Sequence, residues 1–336
     1  MNRPPFEITD RILNLLAEIT NRIGRLDAAS NKKMSLSLRK AAMVKTVNSS
    51  CAIEANSLTE QQVEGVIDGK RVIAPPNEII EVMNAYDAYA RIDEYDPYGT
   101  ASFLMAHGIL TGRLLTDAGR YRATDVAVYE GRNVIHIGAR PQFISGLMDD
   151  LFGWARASDL NPVIKACVLH YEIETIHPFS DGNGRIGRLW QSVVLCRYNE
   201  VFKLMPVETL VHANQQRYYD SIEASRERDS STPFIEFMLE MILATLDSFS
   251  GDEGGLRGVK DRYLQNLTKT EREALMIIIG SFGRGETITA GRLREVMGKA
   301  DSTVRNHLRR LTEEGILTAS GKNKGRGYVI NEDIFL

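Results

Sequence analysis

No stretch of this 336-residue chain approaches the roughly 18 consecutive apolar residues of a membrane-spanning helix. The start, Met1 to Asp10, has no apolar core of the kind a secretory leader needs. Cysteine is scarce: Cys51, Cys167 and Cys196 are the three in the chain, and no two form a CxxC pair. That argues against a disulfide framework or a cysteine metal site and for reduced, buried thiols. Charge of one sign is missing too, since a net charge of −3 neither selects nor excludes a partner. These absences predict a cytoplasmic protein with no membrane partner. What is present, 43% hydrophobic and 25% charged residues, is ordinary for a globular chain, and the length predicts about two domains.

One stretch stands apart from that ordinary background. It reads His177-Pro178-Phe179-Ser180-Asp181-Gly182-Asn183-Gly184-Arg185-Ile186-Gly187-Arg188. Upstream, Asn161-Pro162 reads as an N-cap with proline in the first turn, and apolar residues recur at helical spacing as far as Ile176. Downstream, Ile186, Leu189, Val193, Val194 and Cys196 form a second apolar stripe. The expected local structure is a helix, a short glycine loop and the start of another helix. Glycines let backbone amides approach an anion closely, and the new helix turns its unpaired N–H groups and positive dipole end to the same spot. Arg185 and Arg188, three apart on that first turn, share a face and can both reach a polyphosphate. Asp181, an acid among donors, suits a magnesium ion that bridges phosphates. His177, ending the first helix, is placed for proton abstraction. Singly, each is also an ordinary feature: a helix end before proline, a DGNG turn, a solvated arginine pair.

Together they match HPFx(D/E)GNGRxxR at every fixed position, and the chain on this ground resembles the Fic-domain proteins. Most of that family transfer AMP from ATP to a protein hydroxyl. The resemblance implies that His177 is the general base and that Asp181 holds Mg2+. It implies that Gly182, Asn183, Gly184, Arg185, Ile186, Gly187 and Arg188 bind ATP and its phosphates, with the amides near Asn183 and Gly184 forming an anion hole and the two arginines gripping the β and γ phosphates. Phe179 is expected beneath the loop as a buried anchor. Gly184 also distinguishes the chain from the kinase-like branch, which carries lysine there.

The resemblance extends upstream. Ser49 to Asn56 closes a helix expected from about Ser35 to Ala55, and Thr59 with Gln62 forms a capping box for the next. Ser50 and Glu54, four apart, face the same way; on spacing alone they are an exposed helix end. Many Fic proteins carry (S/T)xxxE(G/N), an inhibitory helix whose glutamate pairs with the second motif arginine. Ser50 to Glu54 fits this, with Ala55 in the position of Gly or Asn. Alanine is the better helix former, which predicts a helix continuing through Glu54.

Between Tyr121 and Phe143 alternating apolar residues around Gly131-Arg132-Asn133 predict a β-hairpin. In the family this is a flap whose edge pairs with the target's backbone. Asn214 and Tyr218 are expected near the adenine, with a packing role for the aromatic pair equally open. Past a glycine-rich acidic stretch beginning at Ser248, three short helical patterns and a glycine-basic hairpin resemble a winged helix-turn-helix. There Ser302, Thr303, Arg305, Asn306 and Arg309 would face DNA, and Lys322, Lys324 and Arg326 its phosphates. A docking or dimerisation role, hence a homodimer, stays open beside DNA binding.

The fold class expected is mainly α. A helical region with the inhibitory helix (1–75) precedes a Fic core with a hairpin flap (76–250), a linker (251–262) and a winged helix-turn-helix domain (263–336). The activity expected is that of a protein adenylyltransferase, autoinhibited by Glu54, which modifies a Ser, Thr or Tyr hydroxyl of a target protein, with self-modification open. The alternatives are a DNA-binding regulator that uses the core as a nucleotide sensor, and an enzyme that both adds and removes AMP.

Overall fold

The computed structural model describes residues 3–29, 36–130, 133–249, 259–282, 285–321 and 326–335. It divides into two compact units, Met1–Ile23 with Ala41–Thr245, and Gly24–Lys40 with Leu246–Leu336. In chain order as far as residue 249 run α1 (Asp10–Ala29), α2 (Leu36–Ile53), α3 (Glu60–Ile67), α4 (Pro76–Ala90), α5 (Thr100–Leu110), β1 (Ala127–Glu130), β2 (Asn133–Ile137), α6 (Pro141–Ala157), α7 (Pro162–Ile176), α8 (Asn183–Tyr198), α9 (Val207–Ala213), α10 (Gln215–Glu227) and α11 (Thr232–Phe249). Among the described residues no helix is long and apolar enough to cross a membrane.

The local signals that set these boundaries are visible in the hydrogen bonds. Thr59 and Gln62 cap α3 reciprocally. Asn161 Oδ1 accepts from Val163 N at 2.9 Å, and Pro162 occupies the first turn of α7, where no N–H is needed. Helix α7 is buried on nearly every side, from Val163 to Leu169 and again at Ile173, and α8 packs along it. Beneath them an aromatic cluster centres on Phe103, whose ring lies 5.4 Å from Phe152 and Phe179 and 5.0 Å from Trp190. The three cysteines are free and buried, and burial pushes the Cys51 thiol up to about 12.

The hairpin pairs β1 antiparallel to β2, Ala127 opposite Ile137 and Glu130 opposite Asn133, with a register shift between Val128 and Tyr129. Gly131 and Arg132 of the expected turn lie outside the described residues.

In the second unit α12 (Asp261–Leu264), α13 (Lys269–Ser281), α14 (Ala290–Met297) and α15 (Asp301–Glu313) precede an antiparallel pair, β3 (Leu317–Ser320) and β4 (Gly327–Ile330). Ile288 bridges Tyr328 at the edge of that pair. Leu275, Ile278, Leu293, Val304, Leu308, Leu311 and Ile316 form its core. Ser302, Thr303, Arg305, Asn306 and Arg309 share the exposed face of α15, with Arg305 paired to Asp301 at 2.6 Å. Lys322 and Lys324 lie outside the described residues.

One expectation fails in an instructive way. Helix α2 ends at Ile53 and does not continue through Glu54. Ala55 takes a left-handed conformation (φ 65°), its N–H donating to Ala52 O at 2.9 Å while Asn56 N–H donates to Cys51 O at 3.2 Å. These two bonds are a Schellman closure with Ala55 at the position that favours glycine. Helix propensity was the wrong criterion at residue 55, because the backbone there is left-handed and a Cβ costs roughly 1–2 kcal/mol. Ala55→Gly is therefore expected to stabilise the first unit by about 1 kcal/mol. Both tryptophans, Trp154 and Trp190, lie in that unit, so a urea titration followed by tryptophan fluorescence checks it. An unchanged or lowered midpoint would contradict it.

Candidate active site

Two left-handed residues bracket the loop between α7 and α8. His177 (φ 52°) stops α7 just before Pro178, and Gly182 (φ 81°) precedes the first residue of α8. Glycine is required at 182 twice over, since a Cβ there would also lie 2.8 Å from Thr111 Cγ2. Between them Phe179 is fully buried, as expected of an anchor, and its ring stacks on His107 at 3.5 Å. Asn183 clamps the loop from both sides, Oδ1 accepting from Phe179 N at 2.9 Å and Nδ2 donating to Phe179 O at 3.0 Å. The side chain of Asn183 is thus committed to the loop, while its backbone opens the uncapped first turn of α8.

Two further residues, absent from the sequence reading, hold this loop. His107 Nδ1 accepts from Gly119 N at 3.0 Å, so its proton sits on Nε2, which donates to Asp181 O at 3.0 Å. Burial pushes this imidazole down to about 4, keeping it neutral. Buried Arg122 donates Nε to His177 O at 2.8 Å, Nη1 to Thr124 O at 2.7 Å and Nη2 to Ala139 O at 2.5 Å. With Ala139 N bonded to Ile176 O at 3.1 Å, the root of the hairpin is tied beside His177. No motif marks either residue; each reaches the loop from far away in the chain.

His177 Nδ1 lies 3.3 Å from the carbonyl of Glu174. A carbonyl only accepts, so this bond needs the proton on Nδ1 and leaves Nε2 as the basic atom.

The first turn of α8 has no side-chain cap, so the N–H groups of its opening residues are left to an anion. Beside Gly184 lies a carboxylate. A Cβ built on Gly184 would fall 2.5 Å from Glu54 Oε1 and 3.1 Å from Arg188 Nη1. Arg188, 3% exposed, donates Nη2 to Glu54 Oε1 at 2.8 Å and to Ser50 O at 3.1 Å, and Nε to Ser50 Oγ at 3.3 Å. Ser50, Glu54 and Arg188 are therefore brought together. Burial pulls the Glu54 carboxyl up, but the charge and hydrogen bond of Arg188, with Arg185 and His177 behind, outweigh it and hold the group below the usual carboxylate range. Burial also works against the charge of Arg188, and Glu54 more than offsets it.

Arg185 pairs Nη1 with Glu81 Oε1 at 3.2 Å and Nη2 with Asp181 Oδ2 at 3.4 Å. Asp181 itself is 64% exposed, its Oδ1 accepting from Gly182 N at 2.6 Å. Among the described residues no three His, Cys, Asp or Glu form a metal cluster. One open carboxylate beside an uncapped helix start suits magnesium, which takes one or two carboxylates and completes its shell with phosphates and water.

Four of the residues expected at the ligand have other contacts in the structure. Ile186 is fully buried, and a Cβ on Gly187 would strike His170 Cδ2 at 2.9 Å, so both serve the packing of α8 on α7. Tyr218, 1% exposed, sits among Phe234 and Phe237 with its hydroxyl 3.1 Å from His170 Nε2 and 3.5 Å from Glu174 Oε1. It is a core residue, not an open platform for a base. Asn214 Nδ2 donates to Leu210 O at 2.9 Å, within its own turn. Its neighbour Gln215 reaches Ile53 O at 3.0 Å, at the end of α2.

The Fic/DOC family model matches residues 100–195. A Fic family protein from Desulfovibrio desulfuricans G20, solved by crystallography, is similar over 98% of this chain and 99% of its own, at 32% identity and TM-score 0.72. The protein adenylyltransferase Fic of Culex quinquefasciatus is 29% identical over 62% of this chain, and that of Aedes aegypti 28% over 67%. The chain spans 42% and 45% of the lengths of these two relatives. Fic-1 of Caenorhabditis elegans shares the fold at TM-score 0.58 and 21% identity, over 71% of this chain and 72% of that one.

Glu174, beneath this site, is pushed up to about 7 by burial, with Arg188 opposing the rise. Its ordinary value is 4.5, so between these pH values the folded chain holds a proton that the unfolded chain releases. Stability must then fall as pH rises through that window, and stay lower above it. Glu172, also raised to about 7 by burial and then by Asp229, adds the same sign. Glu174→Gln cannot ionise, so its melting temperature should match wild type near pH 5 and exceed it at pH 8. A difference that does not grow with pH would contradict the assignment.

Proposed function

The chain belongs to the Fic family, and from that premise we propose that it transfers AMP from ATP to the hydroxyl of a Ser, Thr or Tyr on a protein, restrained by Glu54. What carries this reading is the start of α8: an uncapped helix N-terminus followed by Arg188, whose guanidinium, the group that would grip a phosphate, is paired with the Glu54 carboxylate beside Gly184. The named activity of the Culex and Aedes relatives supports the reaction type.

In this reading the target hydroxyl gives its proton to Nε2 of His177, and its oxygen attacks the α-phosphorus of ATP. The bond from that phosphorus to the oxygen bridging the β-phosphate breaks, and pyrophosphate leaves. The N–H groups opening α8 receive charge that builds on the phosphates, while Arg185 and Arg188 hold the β and γ groups. Magnesium bound at Asp181 would neutralise and orient the phosphates. The hairpin rooted beside His177 would present the target's backbone as an added strand. With Arg188 engaged by Glu54, the γ-phosphate finds no partner and the α-phosphorus is held off line, and a misplacement of about 1 Å costs on the order of 10²-fold in rate.

Incubation with labelled ATP, magnesium and a cell lysate tests this. Glu54→Gly should raise labelling of the protein or of lysate targets by about 10²-fold. His177→Ala in that background should lower it by about 10²–10⁴-fold with ATP binding retained. Equal labelling by wild type and Glu54→Gly would overturn the restraint. ATP binding without labelling in either protein would favour the nucleotide-sensing regulator. If wild type removes AMP that Glu54→Gly leaves on, Glu54 serves the reverse reaction.

A further inference from the structure

Glu54 reaches one of the two motif arginines. The other, Arg185, is 5% exposed, and its Nε is buried without a hydrogen-bond partner among the described residues. Its guanidinium is divided between two carboxylates, Nη1 on Glu81 Oε1 at 3.2 Å and Nη2 on Asp181 Oδ2 at 3.4 Å. Glu81, on α4, does not end there. Its Oε2 accepts from Asn56 Nδ2 at 2.9 Å, and Asn56 also donates to Glu78 O at 3.1 Å. Asn56 is the residue whose N–H completes the Schellman closure two positions after Glu54. Thus Glu81 links the segment that carries Glu54 to the arginine that Glu54 does not touch.

We propose that Glu81 is a positioning residue for the phosphate site: it anchors Arg185 and thereby sets how readily Asp181 is released to a divalent cation. The inference rests on the reading of Asp181 as the magnesium ligand beside ATP. A buried guanidinium must keep a counter-charge. With Glu81 on Nη1, Arg185 can give up Asp181 and still be paired, and Nη2 and the unpartnered Nε become available to a phosphate. Without Glu81, Asp181 is the carboxylate left to it of these two, so the Arg185–Asp181 pair tightens and competes directly with the cation. Asn56 fixes which way Glu81 faces, so the closure at Ala55 bears on both arginines, on Arg188 through Glu54 and on Arg185 through Glu81.

The test uses the full chain carrying Glu54→Gly, with and without His177→Ala. In the protein lacking His177, which should bind without transferring, manganese binding in the presence of ADP is followed by electron paramagnetic resonance. In the protein retaining it, the magnesium concentration for half-maximal labelling is measured. Glu81→Gln should raise both half-saturation values by about 10-fold, the scale typical of partners that orient metal ligands, with the tryptophan-monitored urea midpoint unchanged. Glu81→Asp should fall between. Half-saturation values within twofold of the parent in a folded Glu81→Gln protein overturn the proposal. Should Glu81→Gln fail to fold, Asn56→Ala carries the test, with an expected shift of about threefold and no shift overturning it. If the Glu54→Gly parent transfers no AMP, the functional reading falls while the manganese comparison still decides the role of Glu81.

Discussion

The site depends on the need of one buried guanidinium for a counter-charge. Arg188, 3% exposed, sits one turn into α8, under a helix start that itself calls for an anion. Glu54 answers the need of the guanidinium, with its carboxylate 2.8 Å from Arg188 Nη2 and beside Gly184. Removing one partner of such a pair leaves a desolvated charge, which is why a pair of this kind resists a casual competitor yet yields to a ligand that brings its own charge. In the proposed reaction the γ-phosphate of ATP would be such a ligand. About a third of the Glu54 side chain is open to solvent, so the carboxylate can leave without unpacking the core.

The carboxylate is held by the end of a helix. Ser49 Oγ bonds Thr209 Oγ1 at 3.1 Å, Ser50 meets Arg188, Gln215 reaches Ile53 O and Asn56 reaches Glu81, so the last turn of α2 is fixed on several sides. Against these stands Ala55, which bears a left-handed backbone without the freedom of glycine. Several polar contacts favour the docked turn, while a strained residue directly after Glu54 opposes it. That opposition makes the docked turn less stable than the same contacts would make it around a glycine.

How much of this could be read from residues alone follows from range. The loop from His177 to Arg188, the capping box of Thr59 and Gln62 and the Asn161-Pro162 start are patterns over a few residues, and the chain carries them openly. The pairing of Glu54 with Arg188, 134 residues apart, was accessible through the resemblance and not through spacing. His107, Arg122 and Glu81 act across 74, 55 and 104 residues and belong to no pattern, so nothing local marks them. Tyr218 was left open between a ligand and a packing role because an aromatic residue looks the same in sequence whether it faces a ligand or Phe234. Ala55 misled because propensity scales describe helical backbone, and residue 55 has left the helix.

If Glu54 keeps Arg188 from the γ-phosphate, the restraint must show in how the protein tells ATP from ADP, whose difference is that phosphate. Calorimetric titration of both nucleotides with magnesium, in His177→Ala protein so that nothing turns over, measures this directly. With Glu54 present the two should bind within about twofold of each other; with Glu54→Gly added, ATP should gain about 10-fold over ADP, as one charge-assisted contact would give. An ATP-to-ADP ratio that is the same with and without Glu54 would contradict the central role of the Arg188–Glu54 pair.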